Sequence, residues 1–279
     1  PTLVALSIAY AELLASVGVR PSALIGHSMG EVAAAYLAGV FDLETAMRVI
    51  CRRSSLMNRA RGEGAMALVE LSLPEARGRI EPHRHLLGVA AHNGPKSCVL
   101  SGEPEALANV MRELEAEGVF CRLIKVDVAS HSPQMEPLAA QLQIELADMK
   151  PDIARVPLYS TTLGRRVSGP ELAASYWGAN LTSPVLFAEA IDALARDSIS
   201  IFVELGPHPV LLPSIQQTIP GATTGVCGRR EEPDGRAFAV LLATLWTGGS
   251  ELDWNSIFPG PDVFVELPTY PWQRERHWY

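Results

Sequence analysis

The sequence predicts an α/β protein: a parallel-sheet core with a small βαββαβ subdomain inserted into it. Three observations carry this expectation. Short apolar runs alternate with helical stretches over most of the chain, the pattern of strands joined by crossover helices. A serine flanked by glycines, Gly26-His27-Ser28-Met29-Gly30, stands between an apolar run and an alanine-rich helix. From Gly64 to Lys125 the texture changes to short strands and two helices within about sixty residues, the size of one compact motif.

The elements follow in order. Leu3 to Val17 has apolar residues at helical spacing and stops at Gly18. Ala23-Leu24-Ile25 is a short strand, and Glu31 to Leu37 a helix that closes at Gly39. A further helix runs from Leu43 to about Met57. In the inserted part, Ala65–Leu71, Leu86–Ala91, Ser97–Leu100 and Phe120–Val126 read as strands, and Pro74–Ile80 and Glu105–Glu117 as helices. His92-Asn93-Gly94-Pro95 is read as the turn between the two middle strands. This order is the ferredoxin-like arrangement. Beyond it, Pro137–Met149 and Phe187–Arg196 read as helices, Val156–Ser160 and Ile201–Leu205 as strands, and Tyr176–Asn180 as a helix or turn. Ala237–Trp246 is read as the last helix. The expected organisation is a core from residues 1–63 and 126–235, a subdomain from 64–125, and a final helix with a linker over 236–279. From Gly248 onward the chain is rich in aromatics and proline, and is expected to pack on a neighbouring surface.

Composition narrows the function. Of 279 residues, 48% are hydrophobic and 19% charged, enough for a buried core and unlike a disordered chain. A net charge of −8 argues against a uniformly basic face, so no nucleic-acid partner is expected. Apolar runs break well before ~18 residues, so no membrane span is expected. Cys51, Cys98, Cys121 and Cys227 form no CxxC pair and read as reduced core thiols. Reduced thiols fit a cytoplasmic protein, and no basic leader precedes the first helix. The start at Pro1 without methionine reads as a piece of a larger chain.

Gly26-His27-Ser28-Met29-Gly30 matches the G-x-S-x-G nucleophile elbow, so the core is read as hydrolase-like. A serine at a sharp strand-to-helix turn needs small neighbours, a role the sequence gives to Gly26 and Gly30. The helix that follows aims its first N–H groups at the serine, where they stabilise an oxyanion. A serine also needs a base, and seven histidines are available. His131 and His208 both follow strand-like runs, in loops at strand ends where α/β sites gather. His83 and His85 fall in a polar loop, and His277 in the aromatic tail.

The chain resembles a known family at several places. Gly26-His27-Ser28-Met29-Gly30-Glu31 is similar to the GHSxGE motif of malonyl-CoA:acyl carrier protein transacylases and of the acyltransferase domains of modular type I polyketide synthases. Val128-Ala129-Ser130-His131-Ser132-Pro133-Gln134-Met135 resembles their second motif, which holds the catalytic histidine. Tyr176-Trp177, Asn180-Leu181 and Val203-Glu204-Leu205-Gly206-Pro207-His208-Pro209 resemble further landmarks. Leu267-Pro268-Thr269-Tyr270-Pro271-Trp272-Gln273-Arg274 resembles the linker that follows the acyltransferase.

The resemblance implies that Ser28 is the nucleophile, His131 its base and the Met29 N–H an oxyanion donor. It implies a backbone carbonyl behind the histidine, assigned to the Gly206–Pro209 turn, with His208 structural. Arg53, twenty-five residues after Ser28, takes the place of the arginine that grips an acyl carboxylate. Arg52 beside it points ~100° away on a helix, so only one of the two faces the site. Val128, Ser130, His27 and Asn93 are expected to line the substrate cleft, with Ser130 marking a methylmalonyl rather than a malonyl unit. An upstream family segment, whose glutamine N–H completes the oxyanion hole, does not occur within the twenty-seven residues before Ser28.

The implied reaction takes an acyl group from coenzyme A to Ser28 and on to the phosphopantetheine thiol of an acyl carrier protein. No bound cofactor and no metal are expected, and the implied neighbours are a ketosynthase and its linker in the same synthase. Two other readings compete. An esterase of the α/β-hydrolase type would need an acid between Ser28 and its histidine. A silent docking module would have no need of Ser28, Arg53 and His131 together.

Overall fold

The computed structural model describes residues 1–260 and 266–278. Helix α1 (Thr2–Ser16) stops where Gly18 takes a φ of 86°. Strand β1 (Leu24–Ile25) runs into the elbow and helix α2 (Gly30–Leu37). Helix α3 (Leu43–Arg59) begins at Asp42, whose carboxylate accepts the Thr45 N–H at 2.8 Å and caps the first turn. Val32, Ala35, Val49 and Ile50 are fully buried where these elements meet.

Residues 64–125 hold β2 (Ala65–Val69), α4 (Leu73–Ile80), β3 (Leu87–Gly94), β4 (Ser97–Gly102), α5 (Pro104–Ala116) and β5 (Cys121–Ile124). Its strands lie in the order β5-β2-β4-β3, each pair antiparallel. A capping box between Ser72 and Glu75 starts α4. Leu100, Leu107 and Leu114 are fully buried between this sheet and its helices.

The chain then adds α6 (Glu136–Glu145), β6 (Leu158–Ser160), β7 (Arg165–Val167), α7 (Ala174–Thr182), β8 (Val185–Leu186) and α8 (Phe187–Arg196). It ends with β9 (Ile201–Glu204), α9 (Leu212–Thr218), β10 (Thr223–Val226), α10 (Asp234–Thr247) and α11 (Trp254–Ile257). Strands β1 and β6 are parallel, with Leu24 opposite Leu158, and β7 turns back along β6. Strands β9 and β10 form a second parallel pair. Strand β8 lies in neither. It joins β3 in parallel, with Ala91 opposite Val185 and His92 opposite Leu186, and so adds a fifth strand to the sheet of residues 64–125.

Several sequence expectations are corrected. His92, Asn93 and Gly94 are not a turn; they continue β3 through a register shift, and the turn shrinks to Pro95-Lys96. Strands β7, β8 and β10 and helix α9 were not expected. Val185–Leu186 is too short to show a period, and Arg165–Val167 carries two arginines where alternation would be sought. Helix α10 is not the last, because α11 follows it. Cys51 is exposed rather than a core thiol, while Cys98 and Cys227 are buried. Leu267, Tyr270 and Trp272 of the aromatic tail are 66–80% exposed, which leaves them open to the neighbouring surface the sequence suggests. Residues 261–265 and 279 of that tail lie outside the described residues.

Candidate active site

The elbow is built by close backbone approach. A Cβ on Gly26 would come within 2.2 Å of the Glu31 nitrogen and 2.3 Å of the Gly30 carbonyl carbon, so only glycine fits there. Ser28 is held at a φ of 53°, in the left-handed region that costs a non-glycine residue about 1–3 kcal/mol. The Gly30 N–H bonds to the His27 carbonyl at 2.9 Å, and the Glu31 N–H to the Ser28 carbonyl at 3.0 Å. The Met29 N–H has no partner among the described residues, which leaves it free to donate to an oxyanion at the start of α2. Gly30 departs from its expected role, because a Cβ there meets nothing within 4 Å. It borders open space rather than easing a tight contact.

His131 arrives from a different part of the chain, in the loop between β5 and α6, with a φ of 60°. Its Nε2 lies 2.8 Å from the Ser28 Oγ. Its Nδ1 lies 2.8 Å from the Ser183 carbonyl. A carbonyl only accepts, so Nδ1 carries the proton and Nε2 is the base facing the serine. The carbonyl expected from the Gly206–Pro209 turn is thus supplied by Ser183, just past the end of α7. His208 instead accepts the Arg230 N–H through Nδ1 at 3.4 Å. The Leu181 carbonyl also accepts the His131 N–H at 3.0 Å, so one segment fixes both backbone and ring. Gly64 permits this loop to settle, since a Cβ there would come 2.2 Å from the Ala129 nitrogen.

His131 is 5% exposed, and its pKa is pushed down to about 3, first by burial and then by the Arg53 charge. The imidazole therefore rests neutral, the state a general base needs.

Arg53 is 3% exposed and projects from α3. Its Nη2 donates to the Ser28 Oγ at 3.1 Å and its Nη1 to the Met57 Sδ at 3.1 Å, a weak acceptor. Its buried Nε has no partner among the described residues. Burial lowers its pKa to about 10, so it remains a cation, with the Glu31 charge opposing that shift. A buried guanidinium with poorly met donors suits a carboxylate on the acyl group. Arg52 faces away, 3.6 Å from Glu145.

The other expected residues divide. His27 and Asn93 are brought together, but onto each other: His27 Nε2 lies 2.8 Å from Asn93 Oδ1, and the His27 ring packs 5.5 Å from that of Phe187. Desolvation by burial holds the His27 pKa below its ordinary value. Ser130 is half-buried beside His131, and Val128 and Met29 pack against the main apolar cluster. His92 pairs with Glu189 at 2.9 Å, next to Asn93 on β3.

Three residues around the pair, Asn180, Glu31 and Ser183, had received no role in the sequence. Asn180 Nδ2 reaches the Ser28 carbonyl at 3.3 Å and the Thr162 Oγ1 at 3.2 Å. Glu31, 3% exposed, accepts from Thr161, Thr162 and Tyr176. The signal for Glu31 was available: it is a carboxylate at the head of a helix whose neighbours are Val32, Ala33, Ala34 and Ala35. Ser183 gave no such signal, because it acts through its carbonyl. Among the described residues no group of three or more His, Cys, Asp or Glu is placed to hold a metal ion.

Fold and site together define a serine acyl-transfer enzyme whose base is oriented by a main-chain carbonyl rather than a carboxylate. A sequence profile described as the acyl transferase domain matches residues 1–252, and the chain belongs to that family. It is 42% identical over 284 residues to erythronolide synthase EryA2 of Saccharopolyspora erythraea, covering 100% of this chain and 8% of that protein. It is 43% identical over 283 residues to polyketide synthase GfsB of Streptomyces halstedii, covering 100% of this chain and 5% of that protein. The chain thus spans under a tenth of the length of these relatives. Among solved structures it is similar to the acyltransferase domain from module 8 of the salinomycin polyketide synthase, with a TM-score of 0.89 and 39% identity over 92% of this chain and 62% of that one. The acyltransferase domain of SpnD, solved as a complex with 2-(pent-4-yn-1-yl)malonyl, gives a TM-score of 0.81 at 29% identity over 88% of this chain and 61% of that one. The malonyl CoA-acyl carrier protein transacylase of Coxiella burnetii gives 0.77 at 25% identity over 86% and 77%. The chain is an acyltransferase domain of the modular polyketide synthase kind.

Proposed function

We propose that this domain takes a carboxylated extender unit from coenzyme A onto Ser28 and passes it to the phosphopantetheine thiol of an acyl carrier protein. The observation that carries this reading is the Ser28 Oγ itself, in contact with the neutral base His131 on one side and the buried cation Arg53 on the other. His131 Nε2 takes the serine proton as Oγ attacks the thioester carbonyl, and the oxyanion draws on the Met29 N–H. Collapse breaks the C–S bond, and the imidazolium returns its proton to the leaving thiol of coenzyme A. The carrier thiol then repeats the steps in reverse, freeing Ser28. Every proton is handled by His131, and no resident cofactor is invoked. The Nδ1 contact is a carbonyl and not an acid, which counts against an esterase triad.

The extender unit is read as methylmalonyl, with malonyl the alternative. Ser130, half-buried beside the base, is far smaller than a phenylalanine, which supports space for a methyl branch at the α-carbon, and Val128 is smaller than a tyrosine. One methyl in an apolar pocket discriminates by ~1–3 kcal/mol, so the preference is graded. The substituted malonyl group held by the SpnD domain supports a carboxylated, branched acyl class. The multidomain relatives support a ketosynthase and a carrier protein as neighbours in one synthase. Among the described residues no helix is long and apolar enough to cross a membrane; the cytoplasm is the proposed location. The test is competition between methylmalonyl-CoA and malonyl-CoA, read as the mass of the acyl-enzyme. Methylmalonyl should dominate, and Ser130→Phe should shift the balance toward malonyl. A wild type that favours malonyl overturns the methylmalonyl reading.

A further inference from the structure

We propose that Glu31 is a positioning residue for the acyl transfer, acting by the reach of its two carboxyl oxygens and not by its charge. The inference rests on the functional reading above. Glu31 sits in the first turn of α2, and its N–H already bonds to the Ser28 carbonyl at 3.0 Å. Its backbone is the surface against which Gly26 is pressed. The carboxyl gathers what surrounds the elbow. Oε1 accepts the backbone N–H of Thr161 at 3.1 Å and of Thr162 at 2.9 Å, with the hydroxyl of Thr162 at 3.1 Å and that of Thr161. Oε2 accepts the Tyr176 hydroxyl.

These donors come from two places that matter to catalysis. Thr161 and Thr162 follow directly on β6, the strand parallel to β1 that leads into the elbow. Tyr176 belongs to α7, whose far end holds His131 through the Leu181 and Ser183 carbonyls. The network also closes back on the nucleophile. Thr162 Oγ1 accepts from Asn180, and the same Asn180 amide reaches the Ser28 carbonyl. Glu31 therefore ties the serine's turn to the helix that aims the histidine. It touches neither the Ser28 hydroxyl nor the His131 ring.

Two alternatives separate cleanly. Glu31 also opposes the charge of Arg53, so its negative charge could be the part that matters. Burial pushes its carboxyl up to about 7, so the charge is only partly present near neutral pH, while its length is constant. Gln has that length without the charge. It can keep one oxygen among the threonine donors and offer its amide to the Tyr176 hydroxyl, which can turn its own proton to Ser160 Oγ, 2.7 Å away. Asp has the charge but is one methylene short.

The experiment loads Ser28 of wild type, Glu31→Gln and Glu31→Asp from malonyl-type and acetyl-CoA, with kcat, KM and thermal unfolding recorded. For Glu31→Asp the expected result is a kcat lower by ~10-fold or more for both donors with KM little changed, since a misplacement of ~1 Å can cost up to ~10²-fold. Glu31→Gln should recover most of the wild-type kcat. The proposal is overturned if Glu31→Asp matches wild type, if Gln is the worse of the two, or if the loss is confined to the carboxylated donor. Should Glu31→Asp not fold, Tyr176→Phe replaces it: a lowered kcat at unchanged KM supports the proposal, and wild-type kinetics overturn it. A wild type that never forms an acyl-serine defeats the functional reading instead, so the two failures are told apart.

Discussion

Ser28 and His131 meet at 2.8 Å, yet they are placed by two unlike kinds of structure. The serine's turn is shaped by its own neighbours, with Gly26 giving the close approach and α2 starting two residues later, while Asn180 and the Glu31 network brace it from outside. The histidine is set by residues about fifty positions away, through the carbonyls of Leu181 and Ser183. Both residues stand in the left-handed region, φ 53° and 60°, so each turn stores backbone strain that its surroundings must hold. The shape of the first turn can be read from a short stretch of sequence, whereas the placement of the histidine exists only once the fold has closed.

Substitutions can press on each side of that contrast. The largest effect is expected from Ser28→Ala, which should abolish acyl-enzyme formation, because no other hydroxyl occupies the elbow; intact-mass measurement after exposure to acyl-CoA shows it. His131→Ala should slow loading by ~10²-fold or more without abolishing it, the reach of a lost general base. Equal loss in both variants would break the distinction between nucleophile and base.

Arg53→Ala should act on selectivity. Its guanidinium offers charge-assisted pairing that acetyl- and propionyl-CoA cannot use, so the ratio of malonyl-type to acetyl-type loading should fall. An unchanged ratio would show the carboxylate held elsewhere. The smallest kinetic effect is expected from Asn180→Ala, which removes one long hydrogen bond to the Ser28 carbonyl at 3.3 Å and should lower kcat by only ~2- to 10-fold, in line with about 1 kcal/mol for such a bond.

The pH profile sharpens the same contrast. Burial and the Arg53 charge hold His131 at about 3, far below its ordinary 6.5. The free enzyme's base thus stays neutral through mild acid, and the acid limb of kcat/KM for loading should fall well below pH 6.5. Stability follows with a defined sign. The folded value is lower than the unfolded one, so the unfolded chain takes up the proton first. The contribution of His131 is complete above about 6.5 and is lost as pH falls toward 3. A limb at 6.5 would mean that solvent reaches the imidazole.

What could be read in advance divides along the same line. The elbow, the helices around it and the order of strands in residues 64–125 carry local signals: glycines at turns, helical spacing, alternation. Ser28, His131 and Arg53 stand in recognisable stretches, and the structure gathers them on one oxygen atom. Ser183 was out of reach because a main-chain carbonyl has no residue type, so the role went to the Gly206–Pro209 turn instead. His27 and Asn93 were each legible as polar residues near the cleft, but their bond to each other crosses sixty-six positions of sequence. Strand β8 has two residues, and its partner β3 lies in another part of the chain.

That short strand bears on how the protein comes into being. Residues 64–125 leave the ribosome with four of their five strands, and β3 then waits with an open edge until Val185 arrives to pair with Ala91. At ~5–20 residues per second, the roughly sixty residues from the end of that segment to Val185 take on the order of 3–12 s to synthesise. Through that interval the nascent chain carries an unpaired edge, the feature by which sheets recruit foreign strands. The register shifts near Ala91 and His92 interrupt the regular ladder along β3 and make it a poorer template for a stranger. A chimera that exchanges only residues 64–125 inherits this waiting edge without the strand that evolved to close it.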